Sequence, residues 1–268
     1  IVGCLLNWGL FGTLSVQLYL YYLAFPDDRR FTKYLVYGVY VIEFVQTMLI
    51  AHDAFAMYGY GFGDIDALAR MNYKWLTVPI MSAIVACVGQ VFYAYRIFIL
   101  SKSRIIPIFV ICVSLTSSVA AVILGIYTFQ AGNVIDKDSR RTQTAGIWCG
   151  ASALCDILIA ICMTYYASSF FSLSPIFIDL MRSTTNFRRT RMLVTKIIRL
   201  TIETGSVTAV VALLTFILFI AFPHQTFYIT PALLVPKLYA NAIYVVLNSR
   251  FQIVGGRDTY MSSTDISF

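Results

Sequence analysis

Polar and apolar positions along the chain separate into seven long apolar runs joined by short polar gaps. The runs cover residues 1–25, 34–58, 75–100, 106–129, 146–171, 200–222 and 227–249. Each reaches the roughly 20 residues that a helix needs to cross a hydrocarbon core of about 30 Å. The pattern therefore predicts an all-α membrane protein, a seven-transmembrane-helix bundle formed by residues 1–250. Residues 251–268 follow as a short polar tail, predicted to be cytoplasmic.

Charge turns this architecture into an orientation. The chain is 59% hydrophobic and 12% charged, with a formal net charge of +7. Its basic residues crowd into the gaps after spans one, three and five and into the tail, as with Arg29, Arg30, Lys33, Arg104, Arg188 and Arg250. The alternate gaps hold only Arg70, Lys74, Lys137, Arg140 and Arg141. Lysine and arginine excess marks the cytoplasmic face, so the N-terminus is expected outside and the C-terminus inside, with the plasma membrane as the location. The chain opens at Ile1 within its first span, so a short outer segment is expected before it. That span has no basic flank and runs into Phe25-Pro26-Asp27-Asp28, a helix stop rather than a cleavage site.

Several classes of chemistry fall away. The basic residues lie beside the membrane, where an anionic leaflet rewards each by about 1 kcal/mol, so the net charge needs no nucleic acid. There is no glycine-rich phosphate loop and no zinc-type cysteine spacing. With only His52 and His224 in the chain, neither a three-histidine zinc centre nor a histidine-activated nucleophile is assembled. The sequence calls for no enzyme activity, cofactor or metal. Its six cysteines all fall inside spans, as small packing residues. Gly59 to Asp66 reads as an aromatic interfacial turn, and Gln130 to Ala145 as an exposed outer loop.

Function is sought among ionisable residues within the bilayer, because each is costly there and should face a partner in the bundle. At 1.5 Å rise per residue, Asp156 and Lys237 both lie about 15 Å deep, and a pair between them is the expectation. Glu43 sits in the middle of span two, with His52 and Asp53 near its outer end; these five are the candidate ligand or polar-core residues. A lysine in the seventh span raises the question of retinal. Span three has no Asp or Glu as counter-ion, and Leu233-Leu234-Val235-Pro236 before Lys237 lacks an acid, so that reading is set aside. At the inner end, Arg96 closes span three and Glu203 lies low in span six, the two halves of a candidate latch, with Arg199 one turn before Glu203 as competitor. Arg188, Arg189, Arg191, Lys196 and Arg199 interleave with apolar residues, as in a helix that continues span six into the cytoplasm. Such a surface suits anionic lipid or a cytosolic protein partner.

Several strings carry a family resemblance: Gln17-Leu18-Tyr19-Leu20-Tyr21-Tyr22; Gln90-Val91-Phe92-Tyr93-Ala94-Tyr95-Arg96-Ile97; Asp156; Thr201-Ile202-Glu203-Thr204-Gly205; and Lys237-Leu238-Tyr239-Ala240-Asn241 through Leu247-Asn248-Ser249-Arg250. Together they resemble a fungal, mostly basidiomycete, family of multi-pass membrane proteins known as domain of unknown function 6534. The resemblance implies the seven-helix architecture and a fungal origin, and brings no substrate. A fainter echo of G-protein-coupled receptors, in Tyr95-Arg96 and Asn241-Ala242-Ile243-Tyr244, departs from that class at both motifs and stands only as an analogy of shape.

Three functions fit these observations. The first is a receptor-like sensor that binds a small-molecule ligand within the bundle and reports it through span six. The second is a transporter or channel with a polar path through Glu43, Asp53, Asp156 and Lys237, its backbone broken at Pro79, Pro231 and Pro236. The third is a structural, lipid-organising membrane protein.

Overall fold

A computed structural model describes residues 2–61, 72–101, 103–131, 139–180, 185–222, 225 and 227–250; the side chains of 167 and 169–194 fall outside the description. The predicted turn at Gly59 to Asp66 lies largely outside it, as do residues 251–268 of the tail and residues 132–138 of the expected outer loop, whose other residues, 130–131 and 139–145, are helical. The described residues fold into long helices without a strand. We number them α1 (Val2–Ala24), α2 (Arg30–Phe55), α3 (Leu76–Ser101), α4 (Ile105–Ala131), α5 (Ser139–Leu180), α6 (Thr185–Ala221) and α7 (Ile229–Asn248). Six of these, α2 to α7, are long and apolar enough to cross a membrane, and they make the chain a multi-pass membrane protein. The seventh, α1, spans 23 residues with Asn7 and Gln17 in its apolar run.

Side chains point outward where lipid would be. Val16, Val119, Ile161, Val210 and Ile220 are all exposed on the bundle exterior. The helices are therefore not amphipathic in the water-soluble sense; their polar residues face inward and their outer faces are apolar.

The most buried helix is α7. Of its most apolar stretch 61% is buried, against 22% for α6. It packs against α1, α3 and α6, and α3 in turn meets α4 and α5, so α3 and α7 form the centre and the other helices surround them.

Two asparagines zip α7 to α1. Asn241 Nδ2 donates to the Leu10 carbonyl at 3.1 Å, and Asn248 Nδ2 donates to the Gln17 carbonyl at 2.9 Å. Donors and acceptors are both seven residues apart, so the two helices run parallel in register over two turns. Amide side chains bridging helices in this way are favoured where water is absent. Close approach at the other end is set by Gly3, where a Cβ would come within 3.2 Å of the Thr230 methyl.

The start of α3 is a wide turn. Leu76–Met81 is π-helical around Pro79, whose ring removes a backbone donor. The side-chain amide of Gln46 ties this turn to α2, donating to the Thr77 carbonyl at 2.8 Å and to Ser82 Oγ at 3.1 Å. Gly125 of α4 lets this turn sit close, since a Cβ there would meet Ile80 at 2.8 Å and the Trp75 carbonyl at 3.1 Å.

One end of the bundle carries Arg29, Arg30, Arg96, Arg199 and Arg250, and it is called the basic end below. There Asp28, between α1 and α2, receives Arg250 Nη2 at 2.7 Å, the Tyr21 hydroxyl at 2.9 Å and the Arg29 amide at 2.9 Å. Arg250 also lies over the Phe25 ring, 4.6 Å from its centroid. Burial pushes the Asp28 carboxyl up, but the Arg250 hydrogen bond, the Arg29 amide and the Tyr21 hydroxyl outweigh it and hold the group below its ordinary value. A lowered folded-state value means that the stabilisation is complete above the ordinary carboxylate range and is lost as pH falls through the folded value. Thermal unfolding in nanodiscs should show Asp28→Asn less stable than the wild type at neutral pH, with the gap closing on acidification. An equal gap at every pH would mean that the carboxylate charge contributes nothing.

Candidate functional site

Two polar centres lie on opposite faces of α7. The first joins α7 to α2 and α1. Lys237 and Glu43 are both fully buried, and they form an ion pair. Lys237 Nζ also donates to Thr47 Oγ1 at 2.7 Å and to the Glu43 carbonyl at 2.9 Å, and it sits 5.2 Å from the Phe11 ring centroid. Thr47 Oγ1 lies 3.4 Å from Asn7 Oδ1 of α1. Ammonium, carboxylate, hydroxyl and ring thus neutralise and enclose one another, as a charge pair in the bilayer interior requires.

The second centre joins α7 to α5 and α3. Asp156 Oδ1 accepts from the Tyr239 hydroxyl and, at 3.3 Å, from Gln90 Nε2, while Gln90 also donates to the Tyr239 oxygen at 3.2 Å. All three residues are buried. Gly89 of α3 makes room: a Cβ there would stand 2.4 Å from the Tyr239 ring.

The expected pair of Asp156 with Lys237 is not formed, and the reason is angular. Depth along a helix does not fix direction around it. Lys237 and Tyr239 are two residues apart, about 200° around α7 at 3.6 residues per turn. With Tyr239 turned to Asp156, Lys237 is turned away, toward Glu43.

From the second centre a polar thread descends to the basic end. The Tyr93 hydroxyl lies 3.0 Å from Thr204 Oγ1, with its ring 6.2 Å from that of Tyr239. One turn further along α3, Arg96 Nη1 donates to Thr201 Oγ1 at 3.4 Å, and its guanidinium lies over Phe92. Thr201 and Thr204 each also bond back to their own helix, at 2.6 and 2.8 Å. The thread connects α3 to α6 through the hydroxyls of Thr201 and Thr204, met by one phenol and one guanidinium.

The expected Arg96–Glu203 latch is likewise replaced. Glu203 pairs with Arg199 at 2.8 Å, one turn away on the same helix, and the two side chains are 54% and 79% exposed. Such a pair is worth a few tenths of a kcal/mol. At the opposite end, Asp53 is buried and accepts from the Tyr73 amide with both oxygens, at 3.3 and 3.2 Å, fixing the entry into α3. His52 beside it is largely exposed and stacks edge-on with Tyr73. Neither reaches the two buried centres. The side chains of Arg188, Arg189 and Arg191 lie outside the described residues, whereas Lys196 is on the described part of α6, whose helix does extend to Thr185 as a continuation of the span.

Above the second centre, away from the basic end, is a cavity of about 30 Å³ between α3, α5, α6 and α7. Ser82, Ser152, Thr215, Trp148, Ala232 and Pro236 are among its lining residues. Three of the lining residues place it: Ala86, Ser152 and Val235 each lie four residues before a member of the cluster, Gln90, Asp156 and Tyr239. The cavity is therefore one helical turn from Asp156. Glu43 and Lys237 do not line it.

Gln90, Tyr239, Thr47, Asn7, Tyr93, Thr201 and Thr204 complete these centres without having been singled out as site residues. The available signal was helical spacing of polar residues within apolar runs, as at Gln90, Tyr93 and Arg96, or at Thr201, Thr204 and Thr208.

Fold and site together define a multi-pass helical membrane protein whose central helix carries an ion pair on one face and a carboxyl cluster on the other. Residues 152–252 match the model of a family described as "Family of unknown function (DUF6534)", in agreement with the resemblance read from the sequence. That segment brings Asp156, Glu203, Lys237, Tyr239 and Asn241, while Glu43, Gln90 and Arg96 lie before it. No curated protein and no solved structure matches the chain significantly.

Two outcomes test the centres. Lys237→Met leaves Glu43 buried without a counter-charge and should cost about 3–5 kcal/mol, whereas Glu43→Gln with Lys237→Met should recover most of it; equal losses in the single and double variants would show that the pair is not the source of the penalty. Gly89→Ala should push Tyr239 from Asp156 and cost about 1–3 kcal/mol by overpacking, read as a lower unfolding midpoint. A neutral Gly89→Ala would mean that the ring has room to move.

Proposed function

We propose that the protein is a receptor-like sensor of the plasma membrane, its N-terminus outside and its basic end in the cytoplasm. A small molecule binds in the outer half of the bundle, at the cavity between α3, α5, α6 and α7. The observation that carries this reading is the series of contacts that begins one helical turn from that cavity, at Asp156, Gln90 and Tyr239, and continues by the approach of the Tyr239 and Tyr93 rings to Tyr93–Thr204 and Arg96–Thr201. A ligand that enlarges the cavity displaces the helix wall at Ser152 and Val235, one turn from the cluster. The displacement then reaches α6, the span with the smallest buried share among the six apolar ones, whose helix runs on past the membrane to Thr185. Because no ion pair joins α3 to α6 in these contacts, only a hydroxyl pair and a long Arg96–Thr201 hydrogen bond, the resting state is held weakly enough to be reset. The Glu43–Lys237 pair takes the opposite role, fixing α2, α7 and α1 as a static half.

The π-helical turn around Pro79 supports transport as a second reading, because broken backbone within the membrane is the usual lining of an ion or substrate path.

Spin labels at Arg104 and Arg199 in nanodiscs distinguish the two. The sensor reading expects Tyr93→Phe and Arg96→Ala to broaden and lengthen the distance distribution between the labels. An unchanged distribution in both variants removes the proposed transmission. Proton or solute flux in liposomes that is abolished by Asp156→Asn would favour transport instead.

A further inference from the structure

The buried and half-buried acids of the described residues are each matched, with one exception. Glu43 faces Lys237, Asp28 faces Arg250, Glu203 faces Arg199, and Asp53 holds the Tyr73 amide with His52 alongside. Asp156 has no cationic partner. Both of its donors, Tyr239 and Gln90, converge on Oδ1, and Oδ2 is buried with no hydrogen-bond partner. The titratable groups that face it are Tyr239 from α7, Tyr93 from α3 and its neighbour Cys155 on α5, while α4 and α6 bring it no charged side chain among the described residues. A carboxylate left alone at this depth costs several kcal/mol, so its charge needs a mobile counterpart.

One helical turn away lies the cavity of about 30 Å³. At about 10–15 Å³ per probe-sized water it has room for about two. Ser82, Ser152 and Thr215, which carry hydroxyls, are among its lining residues, as are Ala232 and Pro236, the latter depriving the Ala232 carbonyl of its helical donor. These are the groups to which water in the cavity would bond.

We propose that Asp156 is a proton-exchange site of the bundle, with Oδ2 taking up and releasing a proton through this cavity. On uptake, a hydronium that moves from the cavity to Oδ2 gives up a proton there: one of its O–H bonds breaks, the carboxyl O–H bond forms, water is left behind, and the centre goes from one negative charge to none. Oδ1 keeps its two donors throughout. Release is the reverse, and no other bond changes. The exchange goes beyond the sensor reading and does not depend on it, because it needs neither a small-molecule ligand nor movement of α6.

The test is infrared difference spectroscopy of the full chain in nanodiscs during pH steps, in water and in deuterium oxide. The wild type should show a protonated-carboxyl band that grows on acidification and is lost in Asp156→Asn; if that variant does not fold, Asp156→Glu should retain the band at a shifted frequency. Ser152→Leu, which fills the cavity, should slow deuterium exchange of the band about tenfold, equivalent to about 1.4 kcal/mol of barrier. The proposal is overturned if the band survives Asp156→Asn, if the Glu variant leaves it unshifted, or if exchange is as fast in Ser152→Leu. Sodium chloride that suppresses the band relative to choline chloride at fixed pH would place a metal ion on Oδ2 and equally overturn it. Label distances at α6 are not part of this measurement, so failure of the sensor reading remains separate.

Discussion

The rest of the structure depends on the polar groups that α7 carries into the interior of the bundle. In a hydrocarbon medium every buried polar group must find its partner within the bundle, and α7 is the helix where the demand is greatest. Lys237 takes Glu43 and Thr47, Tyr239 takes Asp156, Asn241 and Asn248 take carbonyls of α1, and the Tyr244 hydroxyl takes the Val36 carbonyl at 2.6 Å. Lys237, Asn241, Tyr244 and Asn248 share one face of the helix, at i, i+4, i+7 and i+11 spacing, and Tyr239 lies on the opposite face. They thereby fix α1, α2 and α5 relative to it more specifically than apolar packing does, since lipid tails compete with apolar contacts on equal terms.

The two faces of α7 differ in kind. Toward α1 and α2 the polar groups are charged, sealed and mutually neutralised. Toward α3, α5 and α6 they are hydroxyls, amides and a single acid beside a cavity, with glycines at 89, 150 and 205 admitting bulky side chains close to the backbone. A charged pair in low dielectric resists separation, whereas a hydroxyl contact such as Tyr93–Thr204, at 3.0 Å, is exchanged at small cost. Stability is concentrated on one side of the bundle and freedom to rearrange on the other. The reading of function rests on that division.

Much of the fold was legible because it is written in composition over long windows. Apolar runs of membrane length and the burial of Glu43, Asp156 and Lys237 follow from solvation alone. What could not be read was which buried residue meets which. Asp156 and Lys237 share a depth but not a direction, and direction depends on how α7 is rotated, which the partners on α1 and α3 set jointly. Arg96 and Glu203 share an end of the bundle, but Arg199, one turn away, reaches Glu203 without any tertiary constraint. Asp53 looked like one rung of a polar ladder because it follows Glu43 on α2; it instead serves the backbone at Tyr73, whose position depends on the wide turn around Pro79. The asparagine heptad, by contrast, was present in the sequence as Asn241 and Asn248 and acquires meaning only beside Leu10 and Gln17.

The central claim is that α7 separates its charges, with Lys237 committed to Glu43 and Asp156 held apart from it. Solid-state NMR on the protein in lipid bilayers, recoupling lysine side-chain nitrogen to carboxyl carbon, measures this directly. The account predicts a strong contact from Lys237 Nζ to the Glu43 carboxyl, at a separation of about 4 Å or less as in an ion pair, and none to Asp156. A contact from Lys237 to the Asp156 carboxyl, with Glu43 unpaired, would contradict it.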